Sequence, residues 1–361
     1  HVPKDPLHRD KQIEDISKAI SRFFSFGTDQ IHLVGQNSTG KTMLLKWWDQ
    51  AIYELVDEDF RYILVTSNYH SNWQDIIIEI GEEVGVQDLH KGMSSGKMLD
   101  KIYCNFDQDF NLIIAIDEFD KLSKNSRSRL VKGLSRPQEI SDSAPEVLTI
   151  IGSNEPSVIE ELDRQRLDRT HTSAFNPEKV NFAEYNALEL KDIFRRRFEK
   201  GIDEKYFDEE VIGYISASVQ NQLMGDIRFG LRAVRNAIKE MSAEGEEKLT
   251  KELVDQEIQN SLVNKLESSI LHLENPRIYK VLKAFSETEK DTTKSIKNKY
   301  NSLYDDNISN PTVIKYMDKV ENLKVIKIRK EGPNKNIYGL KEPYSKDLLV
   351  KVLEDSESIE V

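Results

Sequence analysis

Gly35-Gln36-Asn37-Ser38-Thr39-Gly40-Lys41-Thr42 follows the apolar run Ile31-His32-Leu33-Val34 and precedes Met43-Leu44-Leu45-Lys46-Trp47-Trp48, a helix-like stretch. A G-x-x-x-x-G-K-[ST] spacing between a buried strand and a helix is the pattern of a phosphate-binding loop. The spacing has a physical reason. Successive backbone N–H groups must curl around the phosphates, the helix N-terminus turns its partial positive end toward them, and glycine permits the close approach. Lys41 is expected to reach the β/γ oxygens of ATP or ADP, and the Thr42 hydroxyl to ligate Mg²⁺. A chance match in a chain of this length has odds on the order of 1%.

The other chemical signals lie downstream. Leu112-Ile113-Ile114-Ala115-Ile116 is a continuous apolar run ending in Asp117-Glu118-Phe119-Asp120, as in a central parallel strand whose carboxyl end faces the ligand. Asp117 is placed to hold Mg²⁺, and Glu118 to orient and deprotonate an attacking water. Taken alone, the pair reads as a solvated acidic turn; downstream of a phosphate loop it reads as catalytic. A further strand, Val147 to Gly152, ends in Ser153-Asn154, where an amide can polarise the lytic water. Strands at Arg61–Val65 and Lys179–Phe182 complete the set, with a helical stretch around Trp73–Val84. Strands alternating with helices predict a parallel sheet covered on both faces. Ahead of it, Ile13, Ile16, Ala19, Ile20 and Phe23 form the stripe of a helix over Lys11–Phe24, with Asp10 as its expected cap. On spacing alone His8 and Arg9 read as a solvated pair.

Composition bounds the partners. The 361 residues carry a net charge of −12 and leave room for two or three domains. A single Cys104 excludes a disulfide framework and a cysteine zinc site and fits a reducing cytoplasm. No apolar run approaches membrane-spanning length, and the N-terminus lacks a signal pattern. A start at His1 rather than Met leads us to expect a few native residues missing ahead of it. From Ala183 the pattern becomes helical: Leu188–Phe198, Phe207–Val219, Met224–Ala243 and Leu249–Ser261. Gly225-Asp226-Ile227-Arg228 opens the third of these, and on spacing Arg228 is either a lid arginine turned back onto nucleotide or a surface residue.

The last hundred residues are read as helices over Pro276–Phe285, Thr292–Tyr304 and Asn310–Val320, then a strand Lys324–Lys330, a turn, and a return strand Ile337–Leu340. That is the order of a winged helix-turn-helix. Asp291–Lys341 carries 11 Lys/Arg against 6 Asp/Glu, a local +5 that leaves −17 for the remainder. Thr312, Lys315 and Lys319 are expected to face the major groove of double-stranded DNA, with Arg329, Lys330 and Lys335 at the wing. The bland alternative is a protein-binding winged helix with solvated lysines.

The order of these motifs resembles the AAA+ ATPases, and within them the archaeal origin-recognition and helicase-loader initiators. The matching pieces are Leu7-His8-Arg9-Asp10, Gly35–Thr42, Ile116–Leu122, Ile151-Gly152-Ser153-Asn154, Phe182–Leu190 and Gly225-Asp226-Ile227-Arg228. The resemblance implies an α/β fold: an AAA+ parallel-sheet nucleotide-binding core (1–175), a helical lid domain (176–262) and a C-terminal winged-helix domain (263–361). It also makes Asn154 sensor 1 and Arg228 sensor 2, assigns His8 and Arg9 to the adenine pocket, adds Tyr185 to the nucleotide-binding residues, and places a DNA-touching insertion at about Ser67–Phe106. The family often has Gly at the position of Ser38. Its arginine finger is shifted by one residue here, which makes Arg169 the candidate, with Arg164 and Arg166 behind it. The implied activity is slow ATP hydrolysis controlling the binding of origin DNA, with a replicative helicase and further copies of the chain as partners and no membrane. Rival readings are a defence or signalling switch ATPase whose winged helix packs on the core, and a transposition or plasmid-maintenance ATPase.

Overall fold

The computed structural model describes residues 3–70, 72–106, 110–160, 175–223, 225–271, 275–323, 325–332 and 335–357. The chain forms two compact units, His1–Tyr185 and Asn186–Val361.

The first unit contains helix α1 (Asp10–Phe26), strand β1 (Asp29–Gly35), α2 (Lys41–Leu55), β2 (Phe60–Thr66), α3 (Trp73–Glu83) and α4 (Ser95–Tyr103). It continues with β3 (Asn111–Asp117), α5 (Lys124–Ser135), β4 (Glu146–Ser153) and β5 (Glu178–Phe182). All five strands are parallel, in the order β2-β3-β4-β1-β5. Alternation along β3 explains the layers. Leu112, Ile114 and Ile116 pack against α3, α4 and α5 through Ile76, Ile80, Leu99, Ile102 and Leu134. Ile113 and Ala115 pack on the opposite face against α1 and α2 through Ile16, Phe23, Leu44 and Ile52. Each of the buried Leu, Ile and Phe side chains among these contributes about 1.5–3 kcal/mol relative to exposure.

The five strands read from the sequence are present, and β4 lies between β1 and β3. That insertion brings the ends of three strands, at Gly35, Ser153 and Asp117, side by side. The core sheet extends past residue 175, the expected limit of the first domain, because β5 pairs with β1 from Ile31↔Glu178 to Gly35↔Phe182. Asp10 is not the cap of α1; Arg9 occupies that position without a side-chain capping bond, and Asp10 is the first-turn acid. An acid there still interacts favourably with the helix N-terminus. Arg9 is unable to cap because a guanidinium has donors and no acceptor for the helix N–H groups; its side chain bonds elsewhere, as described below.

The second unit opens with α6 (Ala187–Gly201), started by a capping box of Asn186 and Glu189. Then follow α7 (Glu209–Gln222), α8 (Ile227–Glu244) and α9 (Lys251–Leu271). The last of these extends beyond the expected end at Ser261 and through the expected boundary at 262, because Leu262, Leu266 and Ile270 continue its buried stripe. After it come α10 (Pro276–Ser286), α11 (Thr293–Leu303), α12 (Asn310–Asn322), the antiparallel strands β6 (Ile326–Gly332) and β7 (Lys335–Leu340), and α13 (Lys346–Glu357). Thr292 forms an isolated antiparallel bridge with Ile337, which gives the hairpin a third strand position in the manner of a winged helix. β6 runs two residues further than expected, to Gly332. Sequence reasoning missed α13, whose Leu349, Val352 and Leu353 are buried.

Candidate nucleotide site

The phosphate-loop segment leaves β1 at Gly35 and enters α2 at Lys41. Gly40 caps that helix at φ 95°, in the left-handed region where a side chain is strained, and a Cβ there would lie 2.8 Å from the Tyr185 hydroxyl. Ser38 also has a positive φ, of 65°. The family's usual Gly at this position therefore has a conformational reason, and serine tolerates the same turn at a cost of about 1–2 kcal/mol. Thr39 is buried and its hydroxyl donates to the Gln36 carbonyl at 2.8 Å, closing the loop on itself. Gln36 and Asn37 are exposed.

Lys41 is buried, and its ammonium donates to the carbonyls of Gly35 at 2.7 Å and Gln36 at 2.9 Å and to Asn154 Oδ1 at 3.0 Å. The Thr42 hydroxyl donates to Asp117 Oδ2 at 2.5 Å. Residues far apart in sequence thus meet at the carboxyl edge of β1, β4 and β3. Asp117 is buried, and its Oδ1 accepts the Glu118 N–H at 2.9 Å. Gly152, on the neighbouring strand, makes room for that carboxylate, since a Cβ there would stand 2.7 Å from Asp117 Oδ1. Glu118 itself has φ 54°. A left-handed non-glycine residue at a strand tip is uncommon and concentrates at functional positions; here it turns the chain sharply out of β3.

Asp120 completes the network. Its Oδ1 accepts the Asn154 N–H at 3.0 Å and its Oδ2 the Asn154 side-chain amide at 3.2 Å. With Nδ2 donating to Asp120, Oδ1 of Asn154 is turned to Lys41. Sequence reading quoted Asp120 but gave it no role; its signal was the third acid of the Asp117-Glu118-Phe119-Asp120 run. Behind the site, His32 is fully buried and lies 2.7 Å from Ser153 Oγ through Nε2. Ser153 Oγ donates to the Glu155 carbonyl at 2.9 Å, so it accepts from the histidine and Nε2 carries the proton. Nδ1 is buried without a partner among the described residues. Burial, then the charge of Lys179, pushes the His32 pKa down to about 4.

The His8-Arg9 pair is not a solvated one. Arg9 is 3% exposed; it donates from Nε to the Thr39 carbonyl, from one terminal nitrogen to the His8 carbonyl and from the other to the Ala183 carbonyl, each at 2.9 Å. Its guanidinium stacks on Tyr185, 3.7 Å from the ring centroid. One arginine therefore ties the entry of α1, the phosphate loop and the segment after β5 together. His8 is half-buried with φ 56°.

In the second unit, Arg228 stands in the first turn of α8, with its side chain 63% exposed and Nε 3.6 Å from Asp226 Oδ1. On α12, Lys315 and Lys319 are exposed, whereas Thr312 is half-buried and its hydroxyl bonds Ser309 Oγ at 2.8 Å within the helix cap. Arg329 and Lys330 are exposed on β6, and Lys335 begins β7. Arg164, Arg166 and Arg169 lie outside the described residues.

Residues 27–155 match the AAA domain family. The chain is 25% identical over 285 residues to the ORC1-type DNA replication protein 1 of Sulfurisphaera tokodaii, covering 78% of this chain and 67% of that protein. Across the curated relatives it matches, the chain spans between 60% and 67% of their length. Among solved structures, it resembles the ORC1 protein of Aeropyrum pernix in complex with DNA, with a TM-score of 0.71 at 18% identity over 99% of this chain and 95% of that one. It also resembles the Aeropyrum pernix ORC2 protein in ADPNP and ADP complexes, at 0.69 and 15% over 100% and 97%. At these identities the structural likeness is one of fold. Together with the matched domain and the ORC1-type relatives, it marks the chain as an ATPase with an AAA domain, similar along most of its length to the archaeal origin-recognition initiators.

Proposed function

We propose that this chain is a replication initiator that binds ATP with Mg²⁺ at the Lys41 loop and binds duplex DNA, at an origin, through its C-terminal basic module. The observation that carries the reading is the meeting of Lys41, Asn154, Thr42 and Asp117 within 3.0 Å bonds at three adjacent strand ends. Lys41 offers positive charge to the β/γ-phosphates, and the phosphate-loop amides Gly35 to Thr42 supply neutral donors. Glu118, one residue past Asp117, is the base that orients water. Asn154 is the amide that holds the water or the γ-phosphate, fixed in place by Asp120. Arg228, in the first turn of α8, takes the sensor 2 role that the resemblance implies.

The Thr42 hydroxyl and the Asp117 carboxylate suit Mg²⁺, a hard cation that takes a few protein oxygens and completes its shell with phosphates and water. Among the described residues no group of three or more His, Cys, Asp or Glu forms a protein cage for a metal, in keeping with a metal brought by the nucleotide. When bound, it would neutralise charge developing on the phosphates.

DNA is the partner suggested by Lys315, Lys319, Arg329, Lys330 and Lys335 in an otherwise acidic chain. Recruitment of a replicative helicase and assembly with further copies on DNA complete the proposal. Its test is Lys41→Ala, which should abolish ATP binding and with it any difference in DNA affinity between ATP and ADP. A variant that still binds ATP like the wild type would remove the site.

A further inference from the structure

Three consecutive residues at the end of β4 serve the site in different ways. Gly152 leaves room for the Asp117 carboxylate, and Asn154 meets Lys41 through its Oδ1 at 3.0 Å. Ser153, between them, is fully buried, and its hydroxyl donates to the Glu155 carbonyl at 2.9 Å. That bond spans Asn154 and so restrains the backbone of the residue it encloses. Asn154 is therefore held from two sides, by Asp120 through its N–H and side-chain amide and by Ser153 through the turn.

The Ser153 hydroxyl is itself held from β1. Register sets His32 opposite Ile151, and Ser153 lies two residues further along β4 on the same face. His32 Nε2 reaches Ser153 Oγ across that step at 2.7 Å. A serine hydroxyl has one proton to donate. With the histidine as donor, that proton is left for the Glu155 carbonyl; in the opposite tautomer Ser153 would turn its proton to the ring, and the turn would lose its bond.

In every other respect His32 is a costly residue for its place. It is fully buried between Ile31 and Leu33, whose side chains enter the apolar layer beneath α1 and α2. Its Nδ1 is buried without a partner among the described residues. An unbonded buried polar atom is unfavourable, and an apolar side chain of similar size would avoid it. Sheet packing thus does not call for a histidine here, whereas the bond to Ser153 does.

We infer that His32 is a positioning residue for ATP hydrolysis: by holding the Ser153 hydroxyl on the Glu155 carbonyl it fixes the turn that carries Asn154, and so keeps the Asn154 amide oxygen at Lys41. This rests on the reading of Asn154 as the amide that holds the attacking water or the γ-phosphate.

The experiment measures single-turnover hydrolysis of pre-bound ATP with Mg²⁺ and, separately, ATP affinity, with thermal melts as a folding control. The full chain is compared as wild type, Asn154→Ala, Ser153→Ala, His32→Leu, His32→Gln and the His32→Leu/Ser153→Ala double variant. Asn154→Ala is expected to slow hydrolysis about 30-fold, Ser153→Ala about tenfold and His32→Leu about fivefold, each with ATP affinity within about twofold of wild type. His32→Gln, which keeps an N–H donor, should restore most of the rate. The double variant should be no slower than Ser153→Ala alone, because both changes act through one hydroxyl. A slowed Asn154→Ala beside a wild-type rate in His32→Leu overturns the inference and leaves the reading of Asn154 intact. So does a His32→Gln variant as slow as His32→Leu, a loss of ATP affinity as large as the loss of rate, or a double variant whose losses multiply. Should His32→Leu fail to fold, Ser153→Ala and His32→Gln decide: a wild-type rate in the first, or a tenfold loss in the second, overturns the inference. An unchanged rate in Asn154→Ala removes the reading of Asn154 and this inference together.

Discussion

The carboxyl edge of the core sheet and the C-terminal basic module use charge in opposite ways. At the sheet edge Lys41, Asp117 and Arg9 are all buried, and each is bonded within 3.0 Å to a fixed partner. On the module, Lys315, Lys319, Arg329 and Lys330 are exposed, and their side chains make no hydrogen bond or ion pair among the described residues. A site for phosphoryl transfer works by preorganised, desolvated charge, so its function is written in geometry. A surface for a polyanion works by counterion release from solvated charge, and its mark is local composition. The first can be argued from distances; the second needs a binding measurement.

Glu118→Gln presses hardest on the first half of that contrast. Loss of the proposed base is expected to lower steady-state turnover about 10²–10⁴-fold while ATP affinity, measured separately, stays near the wild-type value. Full turnover in this variant would mean that the strand-tip carboxylates do not perform the chemistry.

His32 tests how far the buried network tolerates added charge. Its folded pKa of about 4 lies below the ordinary 6.5. The unfolded chain therefore takes up the proton first as pH falls. Stability from this group is complete above about 6.5 and is lost between that pH and about 4, by about 3 kcal/mol. Denaturant melts across that window should show the loss, and His32→Asn should reduce its pH dependence. Identical pH curves for the two proteins would show that His32 is not the titrating group.

The solvated half is probed by a Lys315/Arg329/Lys335 triple alanine variant. We expect duplex affinity to fall about 30-fold at low salt, and the slope of log affinity against log salt to flatten by up to about 3. Melting temperature should hardly change, since exposed cations such as Lys315 and Arg329 contribute little to stability.

Asp120→Ala comes next in size. Without its two bonds to Asn154, that amide is free to rotate away from Lys41, and turnover should fall about tenfold with ATP binding retained. Single-turnover rates distinguish this from a loss of nucleotide. The smallest effect is expected for Ser38→Gly, which relieves a left-handed serine and should raise stability by up to about 1 kcal/mol in a denaturant melt.

Much of the core was legible because its signals are local. Continuous apolar runs such as Leu112–Ile116 identified buried parallel strands, and the loop between β1 and α2 announced itself by spacing. Strand order was not legible, because periodicity says which face a residue takes and nothing about which strand lies alongside. The insertion of β4 between β1 and β3, which sets Asn154 beside Lys41, belongs to that class. Helix α5 was missed because its first half, Lys124–Arg129, is polar, and only Leu130, Val131 and Leu134 mark the buried face. Arg9 misled for a related reason: an arginine's burial depends on distant acceptors such as the Thr39 and Ala183 carbonyls, which spacing does not reveal.

The most direct test of the central claim is a fluorescence-anisotropy titration of origin and random duplex DNA, with ATP or ADP, at two salt concentrations. We expect binding that weakens steeply with salt, prefers origin DNA and changes with the nucleotide. Absence of binding to either duplex at low salt, in both nucleotide states, would contradict the initiator reading and leave the nucleotide site as that of a switch ATPase.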